Sequence, residues 1–540
     1  MKRSGLSRFA AVAAACALAL TACARSGDDP DDDNNGGQKG DAGDYYTAGI
    51  FEKEAPGEPT DGGTLTMADY AETRSLDPTS TIATGYSGGT SLVAVYDQLV
   101  RWNEREQDLE YRLAEKVEPN DEYTEWTITL RDGVKFSDGT PVNADAVVGS
   151  FNYYLQNKGY DAAVVGPFWG GAEAVDEKTV KVTLRQGWAT FPFALGKGMG
   201  FIVAPAAIKD GKDGFQPIGA GAFKYESYKP QEELVLAANP DHWDGKPHLE
   251  KLRFVWVGAD ETKYESLTSG QVDTALIRSI ELLKQGREAD VSGWVKLEGM
   301  GNVININMAE GRPGTNLKVR QALGHALDEQ DLYQRAFDGL GKPSKHVFGP
   351  ESKWHNEDAP APEHDPEKAK KLLEEAKAEG FDGKIVLTAS ADPGSREQSM
   401  IMQAQLEAVG FTVENDFVRT IADITNKIYI ERNYDFARSA LSMEEADPFW
   451  RLQANMHSKS PTNSSGYADP EFDALVDELR TTEGDERKDV LQRIEARLMD
   501  QMPYVILSGA PAYVAWNDHV HGIVPSNDAM LAFDKAWLSN

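Results

Sequence analysis

Apolar and polar positions alternate over residues 124–131, with Trp126, Ile128 and Leu130 on one face and Thr127, Thr129 and Arg131 on the other. A period of two predicts a half-buried strand. Asp132 and Gly133 then predict a tight turn, because glycine accepts a positive φ, and residues 134–136 a short returning strand. Residues 137–141, SDGTP, form a second turn. Asn143 follows as a helix cap, with Asp145 in the first turn facing the positive end of the dipole. Val147, Val148, Phe151 and Leu155 give that helix an apolar stripe.

The same reading predicts strands over 64–67, 252–256, 303–308, 385–388, 411–413 and 504–507. It predicts helices over 90–99, 261–267, 319–334, 365–379, 399–409, 469–479 and 486–501. Asp365 caps the fourth of these, Pro366 takes its first position and Gly380 stops it. Strand–helix–strand order around 385–413 predicts a partly parallel α/β sheet. No internal repeat is present.

At 540 residues the chain is long enough for two or more domains, each with its own core. Its formal charge of −32, from 55 basic and 87 acidic residues, lacks the basic footprint that nucleic acid or an anionic membrane surface requires. Residues 1–23 read as an export signal: Lys2, Arg3 and Arg8 form the basic end, and 9–20 an apolar run too short to span a bilayer comfortably. Leu20, Thr21, Ala22 and Cys23 have the pattern of a bacterial lipobox, in which Cys23 becomes lipidated and N-terminal after cleavage. The other reading is a plain secretory signal with an incidental cysteine. Cys16 and Cys23 are the only cysteines, so the exported domain needs no disulfide. Residues 24–63 are acidic and rich in Gly, Pro and Asn, and predict a tether with a reach of roughly 30–35 Å. Residues 45–51 are mildly apolar and can dock on the domain.

Catalytic patterns are weak. Gly85, Tyr86, Ser87, Gly88 and Gly89 satisfy G-x-S-x-G, yet a nucleophile elbow needs a buried strand before the serine, and residues 77–84 are polar. A glycine-rich turn is the better reading. No Walker A run occurs. The nine histidines hold no H-E-x-x-H pair, and His519 and His521 lack a third ligand, so no metal or other cofactor is expected. Eleven Trp, 19 Tyr and 20 Phe suit an aromatic-lined cleft, although most such side chains serve cores.

The run LRDGVKFSDGTPVNADAVV (130–148) resembles the signature of the extracytoplasmic solute-binding proteins of peptide-type ABC importers, the dipeptide and oligopeptide binding family 5. ANPDHWDGKPHLEKLRFVWV (238–257), SGQVD (269–273) and PIGAGAF (217–223) extend the resemblance, with Ala220 and Ala222 departing from its usual G-T-G-P-Y. Residues 434–450, YDFARSALSMEEADPFW, are similar to the family's ligand-contact segment. There Glu444 stands where an acid meets a peptide α-ammonium, and Arg438 where some members pair a ligand carboxylate. Asp447 and Pro448 fall in place, while Ala440 and Leu441 replace a Gly-Trp pair, and Leu441 thereby removes a wall. Glu72 is a further candidate ligand contact. Arg438 and Glu444 equally read as solvated loop charges or as partners of each other.

The resemblance implies an α/β, two-lobed periplasmic-binding-protein-like clamp. Residues 64–302 would form lobe 1, with an extra subdomain at about 95–216. Residues 303–503 would form lobe 2, and 504–540 would return to lobe 1, with hinges near 299–302 and 503–505. It also implies a lipid-anchored monomer on the outer face of the cell membrane. Such a protein would capture a peptide for an ABC permease and its ATPase subunits, without catalysis. The alternatives are another small solute (amine, sugar or metal chelate) and an exported hydrolase.

Overall fold

Two long strands organise the molecule, Gly293–Ile306 and Tyr504–Trp516, paired antiparallel along most of their length. The computed structural model describes residues 45–539, so the signal, Cys23 and the first part of the tether lie outside the described residues. Both strands are largely buried on both faces, as befits strands covered on each side. On one side of the pair lie Phe436–Ala440, Lys384–Ser390 and Thr412–Val418. On the other lie Thr274–Ile277, Thr64–Asp69, Lys251–Trp256, Glu233–Ala238 and Phe223–Lys229. With Gly49–Phe51 on Gly293–Val295, these make one 11-stranded sheet.

The register slips midway, between Glu298 and Val303, opposite Ser508. Met300 and Gly301 adopt φ of 58° and 42° there. Gly301 is required, since a Cβ would stand 2.3 Å from the amide nitrogen of Ala510. A bulge of this kind bends a strand pair without breaking it.

Beyond the bulge, Ile304, Ile306, Leu387, Phe436 and Val505 pack with Val319, Leu323, Leu373, Met402 and Leu406 into one core. Before it, Leu65, Met67, Leu252, Phe254 and Trp516 belong to a larger core that extends into a separate sheet. That sheet has four strands, in the order Ala114–Pro119, Glu125–Leu130, Thr179–Leu184, Trp169–Ala174. Trp126, Ile128 and Leu130 are buried in it as the alternation predicts. Residues 134–136 depart from expectation: Glu125–Leu130 pairs with the strands before and after it in the sheet, and only a single bridge, Lys135 to Pro141, remains. Longer partners with more apolar residues claim both edges. Asn143 caps the helix Ala144–Gln156, its Oδ1 accepting from the Ala146 amide at 3.0 Å.

The single helix expected over 319–334 is two, Leu317–Ala326 and Glu329–Phe337. Leu327 is extended between them, and Asp328 accepts from the amides of Gln330 and Asp331, both at 3.0 Å, starting the second helix. Lys345 donates to the carbonyl of Leu327 at 2.9 Å, closing the first. The tether boundary also shifts, because Gly49–Phe51 is a strand and Tyr46 is buried among Val295, Tyr264 and Tyr513. The apolar side chains of Tyr46, Ile50 and Phe51 supply the surface that the rest of the segment lacks.

Candidate solute-binding cleft

Residues 436–447 run along the bulge. The strand Phe436–Ala440 pairs with residues 302–306, placing Arg438 opposite Ile304. The chain then follows the slip itself, Leu441 donating its amide to the carbonyl of Gly301 at 2.8 Å and Met443 to that of Gly299 at 2.9 Å. Pro448–Asn455 begins a helix directly after. One segment thus carries several candidate residues past the junction between the two cores.

Arg438 donates to Gln398 Oε1 at 2.5 Å and to the Ser395 carbonyl at 3.3 Å. Burial pushes its guanidinium pKa down, and among the described residues no carboxylate lies within ion-pair distance of it. It lines a cavity of about 190 Å³ together with Arg278, Asn302, Tyr333 and Gln398. Two guanidiniums and Lys342 against the one carboxylate of Glu281 on this small cavity favour an anion.

Glu444 is buried and its carboxylate is occupied. Lys197, from the loop after the short helix Phe191–Ala194, donates to Oε1 at 2.8 Å and Oε2 at 3.1 Å. The same ammonium donates to Asp528 at 2.6 Å, and Arg451 stands 3.7 Å from Asp528. Burial, with the charge of Asp528, pushes the Glu444 carboxyl up to about 7. Burial also opposes the charge on Asp528, but Lys197 and Arg451 outweigh it and hold that carboxyl well below the usual range. Glu444 also borders a second cavity of about 490 Å³, with Trp102, Lys296, Lys353 and Glu445 on its walls. A third, also about 490 Å³, runs beside Glu298, Met300, Lys345 and His346. Glu444 and Arg438 do not pair with each other and face different cavities.

Three further expected ligand contacts lie away from these cavities. Asp447 is fully buried, paired with Arg487 and accepting from Thr190 Oγ1 at 3.0 Å, so it has no face toward a cavity. Leu441 is buried in the larger core. Glu72 accepts from Tyr228 Oη at 2.7 Å, from the Gln231 amide at 2.8 Å and from Arg74 at 3.1 Å, pinning a turn between outer strands, and lines none of the three cavities. Ser87 lies in a turn before the helix Gly89–Val95, with no strand leading into it. Among the described residues no group of three or more metal-binding side chains occurs, and no helix is long and apolar enough to cross a membrane.

Residues 108–463 match the bacterial extracellular solute-binding proteins, family 5, over that family's middle region. The chain belongs to this family. The family-5 protein is 28% identical over 480 residues to the probable D,D-dipeptide-binding periplasmic protein DdpA of Escherichia coli, covering 85% of this chain and 91% of that one. It is also 28% identical to heme-binding protein A of Haemophilus influenzae, covering 82% and 87%. Among solved structures, DppA of Helicobacter pylori in complex with the peptide STSA superposes with a TM-score of 0.75 at 22% identity, covering 89% and 99%. The fold is therefore the two-lobed α/β clamp that the resemblance implied.

In this family-5 protein the segment after Thr179–Leu184 packs on the helices beyond Asp447, within the larger core. Trp188 packs edge-on against Phe449, ring centroids 5.3 Å apart, and against Trp450 at 6.0 Å. Arg480 donates to the Gly187 carbonyl at 2.6 Å, and its own carbonyl accepts from the Ala189 amide at 2.9 Å. Lys197, Asp528 and Arg278 escaped the sequence reading. A lysine within the otherwise uncharged run FALGKGMG was the one signal for Lys197.

Proposed function

We propose that the protein is the extracytoplasmic binding component of an ABC importer, held at the outer face of the membrane through Cys23. It captures a peptide or a peptide-like solute between its lobes and hands it to the permease. The observation that carries this reading is the placement of Arg438 and Glu444 on one segment threading the bulge of the paired long strands. A ligand touching that segment touches the part of the molecule that must bend when the lobes move. The peptide-binding names of relatives and structural neighbours support the cargo class, as the name of the heme-binding relative supports a non-peptide alternative.

The long strands suit a hinge at 299–302 and near 503–508, with residues 64–302 and 504–540 on one side and 303–503 on the other. The protein acts by stoichiometric capture and not by turnover, as a monomer. The test is mass spectrometry of what the folded protein carries after purification, followed by calorimetry with that compound on stripped protein. A single class of small solute binding one to one supports the reading. Catalytic conversion of that solute by the pure protein overturns it.

A further inference from the structure

We propose that Lys197 sets the specificity of the cleft. Its ammonium takes, on Glu444, the place of a ligand ammonium, so the cargo is an anion without a free amino group at that end. The anionic group is received by Arg278 and Arg438. This inference rests on the reading that the cleft holds a solute.

An alkylammonium has three N–H donors. Lys197 finds three carboxylate oxygens for them, Glu444 Oε1 and Oε2 at 2.8 and 3.1 Å and Asp528 Oδ2 at 2.6 Å. The rings of Phe193 and Trp450 cover it, with centroids 4.9 and 5.2 Å from Nζ. Its side chain is 3% exposed and that of Glu444 2%, so the pair is walled from water. This is a complete ammonium site, filled from within the chain.

The charges in this cluster balance: Lys197, Arg451 and Lys296 stand against Glu444, Asp528 and Asp161. A ligand amine brought to Glu444 would add a second cation to a carboxylate whose two oxygens are already engaged. In an enclosed site like charges repel far more than in water. The cavity of about 190 Å³ has the opposite need. Arg438 has Gln398 Oε1 and the Ser395 carbonyl as its hydrogen-bond acceptors, with the Asp392 carboxylate acting on it from farther away. Arg278 stands on the same wall with the Glu298 carboxylate acting on it, and Glu281, which shares the wall, accepts from Ser279 Oγ at 2.7 Å. An amine-free anion satisfies both places; a free-amine peptide satisfies one and is repelled at the other.

The experiment offers ligand-stripped full-length protein an equal mixture of a casein digest and the same digest acetylated at every amine. Mass spectrometry then reads what is retained. The expected result is at least tenfold enrichment of the blocked peptides by the wild type. Lys197→Met should lose that preference and gain free-amine peptides, and Lys197→Arg should keep it. Because Lys197→Met leaves two buried carboxylates unpaired and can fail to fold, reductive methylation of the wild type supplies a second reading. Lys197 should stay unmodified while Lys209, whose side chain is 63% exposed, is methylated. Enrichment of free-amine peptides by the wild type, or methylation of Lys197 as fast as Lys209, overturns the proposal and leaves the binding reading intact. Retention of neither half by any variant overturns the peptide reading, and the proposal with it.

Discussion

Replacing Asp447 by Asn separates a residue that holds the larger core together from one that touches cargo. The side chains of Asp447 and Arg487 are 1% and 5% exposed, and their ion pair is direct. The other carboxylate oxygen accepts from Thr190, which immediately precedes the short helix Phe191–Ala194. Asparagine keeps the size and removes the charge. Arg487 would then retain the carbonyls of Leu479 at 3.0 Å and Thr482 at 3.3 Å, with no counter-charge. Breaking a buried pair in this way costs about 3–5 kcal/mol. Burial pushes the Asp447 carboxyl up against the pull of Arg487, so removing the charge also removes a desolvation cost, and the expected loss lies at or below the lower end, about 3 kcal/mol or less. Urea unfolding measures it directly. Calorimetry on the same variant should find the dissociation constant of the cargo changed by less than about threefold, roughly 0.6 kcal/mol. Undiminished stability together with lost binding would refute the structural role and return Asp447 to the ligand site.

Three further outcomes are expected. Glu495 is fully buried, accepts from the amides of Val347 at 3.1 Å and Phe348 at 3.4 Å, and burial pushes its carboxyl from 4.5 up to about 7, with His346 and His355 beside it. A raised carboxyl stabilises the fold below its unfolded pKa, and that contribution is lost as pH rises through the folded one. Between pH 5 and 8 the loss is about 2–3 kcal/mol, so Glu495→Gln should gain that much on the wild type over the same range in urea midpoints, and a pH-independent difference would count against it. Ser87→Ala should leave binding unchanged, and peptides incubated with the pure protein should come back uncut; serine-dependent cleavage would establish a hydrolase. Cys23→Ser should release the protein from the membrane fraction or leave its signal uncleaved, whereas normal processing and retention would contradict a lipid anchor.

What the sequence made legible is what neighbours in the chain decide. The Asn143 and Asp365 caps, Pro366 at a first helical position and the alternation at 126–130 all involve groups a few residues apart, and the structure has each of them. The break after Leu327 was legible in principle, since Asp328 and Asp331 form a capping pattern. The apolar spacing that continues through 332 and 333 hid it. Glu444 and Lys197 are 247 residues apart, and only the tertiary fold brings them together. The family pattern named the acid and could not name its partner. Glu72 failed for a related reason: the hairpin turn that holds it is about 160 residues away, and no local pattern shows that its oxygens are taken.

The proposed closure of two lobes on a solute, about the bulge of the paired long strands, is a motion visible in solution. Small-angle X-ray scattering of the ligand-stripped protein, before and after its copurified cargo is returned, tests this most directly. The stripped protein should scatter with a larger radius of gyration than the closed form. It should contract to the closed value at one cargo per chain, and its folded state should gain roughly 2.7 kcal/mol when cargo stands at a hundred times its dissociation constant. A radius of gyration and an unfolding temperature that both ignore saturating cargo would contradict the account.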